Sequence, residues 1–524
     1  MSLNKALFIA LLLCASLFQQ SMAYNAPACQ DTGGMNGVEI AKKVAEEGMV
    51  LLKNKVPNGS KAKALPLAEK ERVALFGVNQ IDYIHGGGGS GNFVAEYYIS
   101  LYKGLMEKSV KSGLYLYRNL VKIHKAYFDE CWKNDISYSY GTRQGAVLMA
   151  KGEMTLSEAQ VLDARSNANT AIISIGRPAG EDKDRKNIKG DFQLSDAEVD
   201  MIAKVKAANF DKVIVILNVT GVMETSWFVD DDAIDAALLV FLPGMVGGHA
   251  MADVLCGDSY PSGKLASTWA ESYEDYPSSN NFGKQYVAKY EEDIFVGYRY
   301  FETIPGAANK VNYEFGYGLS YADFDMGKAE FKVEGIGRNR KVEVSVVVTN
   351  KSSEHAGKEV VQVYYSAPEG NLTQAAKELV AFEKTKELGP RESQTITLSF
   401  PFDDMSSYDD VGKTGNRAAY ILEPGDYQIH VGRSVRNTRH AGTYSLNRLE
   451  VCEQLSNRLV PNTKNLTRRL TSNGSYEPLM QTVNANPTPQ PEKEKFLNPP
   501  KSNDPFITFK AYIYPQIPCR DKAY

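Results

Sequence analysis

Four short apolar runs, separated by amphipathic stretches, constrain the fold more than any other feature of the chain. They are Val73 to Phe76, Ala171 to Ile175, Val213 to Leu217 and Ala237 to Leu242. Each lacks the polar alternation of a half-exposed strand, as strands covered on both faces do. Helical spacing fills the gaps near Ser100–Lys111, Tyr117–Trp132 and Ser157–Ala168, and Gly257 reads as the C-cap of a helix over His249–Leu255. Val38, Ala41, Ala45 and Met49 fall on one face of a further helix. Strand–helix alternation over residues 35–324 predicts an α/β class with a mainly parallel sheet.

From residue 325 the period changes to two. Val342, Val344, Val346 and Val348 alternate with other residues, as do Ile396, Leu398 and Phe400, and Tyr427, Ile429 and Val431. With turn residues such as Pro424-Gly425-Asp426, this predicts an antiparallel all-β sandwich over residues 325–447. Residues 448–524 read as a linker-like, partly disordered tail, because Asn486 to Asn503 is rich in proline and lysine and poor in apolar surface.

The N-terminus reads as an export signal over residues 1–23. Lys5 precedes the apolar run Ala6–Phe18, and Ser21-Met22-Ala23 is a small-x-small site, so cleavage is expected after Ala23. The run is too short for a membrane span. A secreted or secretory-lumen location follows, in which the N-x-S/T sequons at Asn58, Asn218, Asn350, Asn371, Asn465 and Asn473 gain meaning as glycosylation acceptors. Asn218 ends a core strand and is expected to stay unmodified. Of six cysteines, Cys14 lies in the leader; Cys29, Cys131, Cys256, Cys452 and Cys519 remain, without C-x2-C spacing and with pairing open. No metal or cofactor site is readable. Lys plus Arg number 59 against 63 Asp plus Glu, which gives no basic excess for nucleic acid or anionic membrane.

The candidate chemistry lies in "GRPAGEDKDRKNIKGDFQLSDAE", Gly176 to Glu198. Ser195 and Glu198 have capping-box spacing and start a helix running to about Asn209. Glu181 therefore sits on the loop between a buried strand and a helix, where ligands of open α/β sheets bind. Two readings stand beside each other: an acid/base carboxylate, or one charge of a solvated loop.

This stretch resembles the acid/base loop of glycoside hydrolase family 3, the β-glucosidase group. Further family-type motifs follow in order: "EGMVLLKN" (Glu47–Asn54), "VALFG" (Val73–Gly77), "GGGGSG" (Gly86–Gly91), "VIVILN" (Val213–Asn218), "ADVLCGDSYPSGKL" (Ala252–Leu265), "YEEDIFVGYRYF" (Tyr290–Phe301) and "YEFGYGLSY" (Tyr313–Tyr321). The resemblance implies a six-stranded α/β sandwich followed by a fibronectin type III-like sandwich. It also implies retaining hydrolysis of O-glycosyl bonds in a β-linked glucoside or oligosaccharide, with Glu181 as general acid/base. Asp182 departs from the family glycine at that position, and a second carboxylate there is expected either to raise the pKa of Glu181 by like-charge repulsion or to change the loop's conformation.

Asp184 and Arg185 are substrate-loop candidates; as an Asp–Arg pair, with the Lys189-Gly190-Asp191 turn, they are expected to support the loop rather than take part in catalysis. In "HGGGGSGNF", Gly88, Gly89 and Ser90 are substrate-loop candidates at the mouth of a sugar site, or a plain turn; the missing lysine argues against a nucleotide. Tyr290, Tyr298, Tyr300, Tyr313, Tyr317 and Tyr321 are expected at the junction of the two sandwiches, and Trp132, Trp227 and Trp269 in the core.

Retaining glycosidases need two carboxyl groups about 5–5.5 Å apart. The family nucleophile is an aspartate on a (β/α)8 barrel of roughly 200 residues or more, and no segment here matches one. No nucleophile is expected in this chain; it would come from a separate barrel chain or from sequence beyond Tyr524. The alternative is a secreted, non-catalytic remnant that binds carbohydrate or a protein partner.

Overall fold

A computed structural model describes residues 36–93, 95–135, 146–178, 180–181, 184–283, 287–456 and 466–479. The leader, Asp182, Cys29, Cys519, the sequon at Asn465 and the stretch Asn486–Asn503 lie outside these residues. Six strands form the first sheet: β1 (Val50–Asn54), β2 (Arg72–Phe76), β3 (Tyr115–Leu116), β4 (Thr170–Arg177), β5 (Lys212–Val219) and β6 (Ala236–Leu239). Their order is β1-β6-β5-β4-β2-β3. All neighbours are parallel except β1, which runs antiparallel to β6 at the edge. The four apolar runs became β2, β4, β5 and β6. The last stops at Leu239, short of the expected Leu242, because Phe241 turns to positive φ.

Alternate residues of each run serve two different cores, which explains their unbroken apolarity. Ile173, Ile175, Val213, Val215 and Leu217 face the helices Glu158–Asn167 and Asp196–Ala207 through Val161, Ala164, Met201 and Val205. Ile172, Ile214 and Ile216 face the helices Leu101–Ser112 and Gly247–Cys256 through Leu105, Met251 and Val254. Each core aliphatic contributes about 1.5–3 kcal/mol on burial. Gly257 closes the last helix in the left-handed conformation, as expected.

One expected helical face is corrected. The helix Gly37–Gly48 buries none of its residues fully, and Val38 is 39% exposed. Met49, assigned to that face, lies beyond the helix end and is buried in the second core. A capping box between Asn36 and Glu39 fixes the helix start instead.

The second sandwich follows its period-two pattern. One sheet joins Glu330–Glu334, Lys341–Asn350 and Ser393–Pro401, with Phe324–Met326 also on Lys341–Asn350. The other joins Glu378–Lys384, Val360–Ser366, Gly425–Gly432 and Thr438–Leu446. Val342, Val344, Val346, Val348, Ile396, Leu398, Tyr427 and Ile429 meet in one core between them. Further on, Glu450–Gln454 pairs with Ala419–Leu422, and Arg468–Leu470 pairs with Tyr476–Pro478.

Tyr298 joins the two sandwiches: its hydroxyl bonds to the Leu379 N–H, and its ring lies beside Phe315 and Tyr364. Tyr317 and Tyr321 instead bond within the α/β unit, to the Leu52 and Val254 carbonyls, and Tyr313 belongs to its core. Tyr300 packs beside Phe301 in a separate small core. Tyr290 is 73% exposed, so the junction role expected of all six tyrosines holds for only part of the set. Trp269 is buried, while Trp227 and Trp132 are only partly so. Among the described residues Cys131, Cys256 and Cys452 are free thiols, and no helix is long and apolar enough to cross a membrane.

Candidate active site

The strand order places the site before any side chain is considered. From β2 the chain moves outward to β3, then crosses back to β4 on the other side of β2, and continues away through β5 to β6. The direction reverses between β2 and β4, and the crevice at their carboxyl ends is where open α/β sheets bind ligands. β2 opens into the segment carrying the glycine run, and β4 into the loop carrying Glu181. The loops meet: Gly88 and Gly180 form a parallel β-bridge.

Glu181 is fastened to the glycine run. Ser90 donates its hydroxyl to Glu181 Oε1, and the Ser90 N–H donates as well. Gly89 has φ of +71°, and a Cβ there would lie 2.6 Å from Glu181 Oε2. Only glycine meets both conditions. The side chain is otherwise open to solvent. The two Ser90 hydrogen bonds hold its carboxyl below the ordinary glutamate range, since donors favour the ionised form. Asp182, on which the expected rise rested, lies outside the described residues.

Beneath Glu181 the loop is held by two arginines. Arg177, the last residue of β4, is buried and forms a bidentate pair with Glu198 at 2.7 and 2.8 Å. It also donates to the carbonyls of Asp191 (2.8 Å) and Gln193 (3.2 Å), tying both ends of the loop to one guanidinium. Glu198 in turn completes the predicted capping box with Ser195. Arg185 pairs with Asp191 at 2.9 Å and donates to the Thr220 carbonyl. The expected Asp184–Arg185 pair is thus corrected to Asp191, whose carboxylate also takes the Lys186 N–H. The intervening turn at Gly190, φ +81°, brings Asp191 back toward Arg185. Asp184 lies beside Gly283, away from that pair.

Three further polar groups lie near the ends of these strands, and of them Glu153 fell in no motif. Glu153 is buried and accepts the Val78 N–H with both oxygens (3.1 and 3.0 Å) and the Met154 N–H (2.8 Å). Burial raises its pKa to about 7, helped by the Glu198 charge and opposed by those N–H donors and by Arg177. Asn218, at the end of β5, takes the Ile84 N–H and donates to the Ile84 and Phe241 carbonyls, anchoring the start of the glycine segment. Its complete burial and spent amide fit the expectation that its sequon stays unmodified. His85 lies between Tyr98 and Phe93, ring centroids 3.9 and 5.1 Å away, and burial lowers its pKa to about 4.

The structure thus joins a mainly parallel α/β sheet, with a carboxylate-bearing loop at its switch point, to an all-β sandwich. Residues 49–321 match the glycosyl hydrolase family 3 C-terminal domain, and residues 359–435 a fibronectin type III-like domain. The chain belongs to glycoside hydrolase family 3.

Relatives include β-glucosidase A of Butyrivibrio fibrisolvens, 42% identical over 86% of this chain and 56% of that protein. A β-glucosidase of Ruminococcus albus is 39% identical over 84% of this chain and 44% of its own length. Among solved structures, a β-glucosidase from Paenibacillus barengoltzii superposes with a TM-score of 0.77 at 40% identity, covering 85% of this chain and 48% of that one. β-Glucosidase 3B from Thermotoga neapolitana, in complex with α-D-glucose, gives 0.68 at 35% identity, with coverage of 79% and 54%. The chain spans about half the length of the curated relatives it matches.

Proposed function

We propose that this chain carries the acid/base half of a retaining β-glucosidase and that its substrate is a β-linked glucoside or oligosaccharide. Glu181 protonates the departing glycosidic oxygen and then takes a proton from the attacking water. The nucleophilic carboxylate comes from a (β/α)8 barrel outside these 524 residues. Residues 35–324 form the α/β module, 325–447 the fibronectin-like one, and the protein is exported after cleavage behind Ala23. One observation carries the reading. Within the family-matched region, the only carboxylate fastened to the glycine run at the switch point, among the described residues, is Glu181.

The charge state of Glu181 supports the division of labour. A general acid must hold its proton near neutral pH, and the Ser90 hydrogen bonds push the other way. A second carboxylate brought within about 5.5 Å raises the pKa by like-charge repulsion. The same fact favours a second reading, in which the chain binds carbohydrate without turning it over.

Leaving groups separate the two. With a family barrel polypeptide supplied in trans, Glu181→Gln is expected to lower turnover of an alkyl β-glucoside by roughly 10²–10⁴-fold, the usual share of a general acid. Glycosylation by a 2,4-dinitrophenyl β-glucoside, whose leaving group needs no proton, is expected to survive. Equal losses on both substrates contradict the assignment, and binding without turnover in the native pair favours the second reading.

A further inference from the structure

We propose that Ser90 is the positioning residue of Glu181, holding its carboxyl group in one orientation through both halves of the reaction. The proposal rests on the reading of Glu181 as acid/base. Glu181 is exposed, and an exposed glutamate samples several rotamers unless something fixes it. Three contacts from consecutive residues do so. Gly88 bridges to Gly180, the residue before the glutamate. Gly89, by lacking a Cβ, leaves room for the carboxyl group itself. Ser90 then supplies two donors, hydroxyl and N–H.

The residue type matters because the partner changes its protonation state. A backbone N–H only donates, so it serves the carboxylate and not a protonated oxygen. A serine hydroxyl donates or accepts. It gives its hydrogen to Oε1 of ionised Glu181 and keeps that bond when the acid is protonated on its other oxygen, whose O–H stays free to face the leaving oxygen. When Glu181 passes that proton on, the Ser90 bond to Oε1 is retained. No other bond forms or breaks at Ser90. Among the described residues, the two Ser90 hydrogen bonds are what lowers the ionisation of Glu181, and no charged side chain enters it.

The test is ¹³C NMR titration of the glutamate side-chain carboxyls in the full chain, with Glu181→Gln supplying the assignment. Native Glu181 is expected to titrate below the ordinary glutamate range, Ser90→Ala to move it up to that range, and Ser90→Thr, which keeps a hydroxyl, to restore the native value. A titration unchanged in Ser90→Ala, with folding verified by circular dichroism, overturns the proposal. So does a failure of Ser90→Thr to restore the value. The catalytic reading falls separately: if Ser90→Ala shifts the titration but Glu181→Gln leaves β-glucoside turnover intact, the pairing stands and the acid/base role does not.

Discussion

Arg177 shows how a buried residue can hold the loop that carries an exposed one. Its guanidinium is buried with Glu198, and it also holds the carbonyls of Asp191 and Gln193. Removing one member of a buried pair leaves an uncompensated charge, at a cost of about 3–5 kcal/mol. Arg177→Ala is expected to lose stability of that order, read as a lower urea midpoint. An effect below about 1 kcal/mol would match an exposed pair and contradict the buried geometry. Glu181 was legible in the sequence because its motif is local. Arg177 was not: a cation ending an apolar run has no meaning until Glu198, 21 residues on, folds back to meet it. Arg185 was legible as a support but not in its partner, since the Gly190 turn brings Asp191 to it rather than its neighbour Asp184.

At the scale of elements, the turn leaving β2 depends on one buried carboxylate. Glu153 satisfies the Val78 and Met154 N–H groups, with Arg177 and Glu198 the charged groups bearing on it. Its folded pKa of about 7 lies above the ordinary 4.5, so the fold binds its proton more tightly than the unfolded chain does. That contribution is complete below the unfolded value and is lost as pH rises through about 7. The loss is on the order of 3 kcal/mol. His85 and His430, both lowered to about 4 by burial, act with the opposite sign: their contribution is lost as pH falls from 6.5 toward 4. Because they are common to both proteins, comparing native chain with Glu153→Gln cancels them. The native chain is expected to lose more melting temperature than the variant between about pH 5 and about pH 8. Parallel curves would place the proton elsewhere. The sheet itself was legible because β2, β4, β5 and β6 are apolar on both faces. Edge strands β1 and β3 were not read as strands: β3 is only two residues long, and β1 lay within a family motif rather than a period.

The whole molecule is two sandwiches, one α/β and one all-β, with the carboxylate loop at the switch point of the first. The change of period near residue 325 made this plan readable, since the two architectures impose different spacings on buried residues. Where the first β-strand pair of the switch point would lie was not readable, because strand order depends on crossovers and not on strand content. On the proposed function, the carboxylate forming the glycosyl–enzyme bond is not on this polypeptide. A 2-deoxy-2-fluoro-β-glucosyl fluoride traps that bond, and intact-mass spectrometry reports which chain carries it. With a family barrel polypeptide present, the adduct is expected on the barrel and not on this chain. An adduct on any aspartate or glutamate of this chain would contradict it.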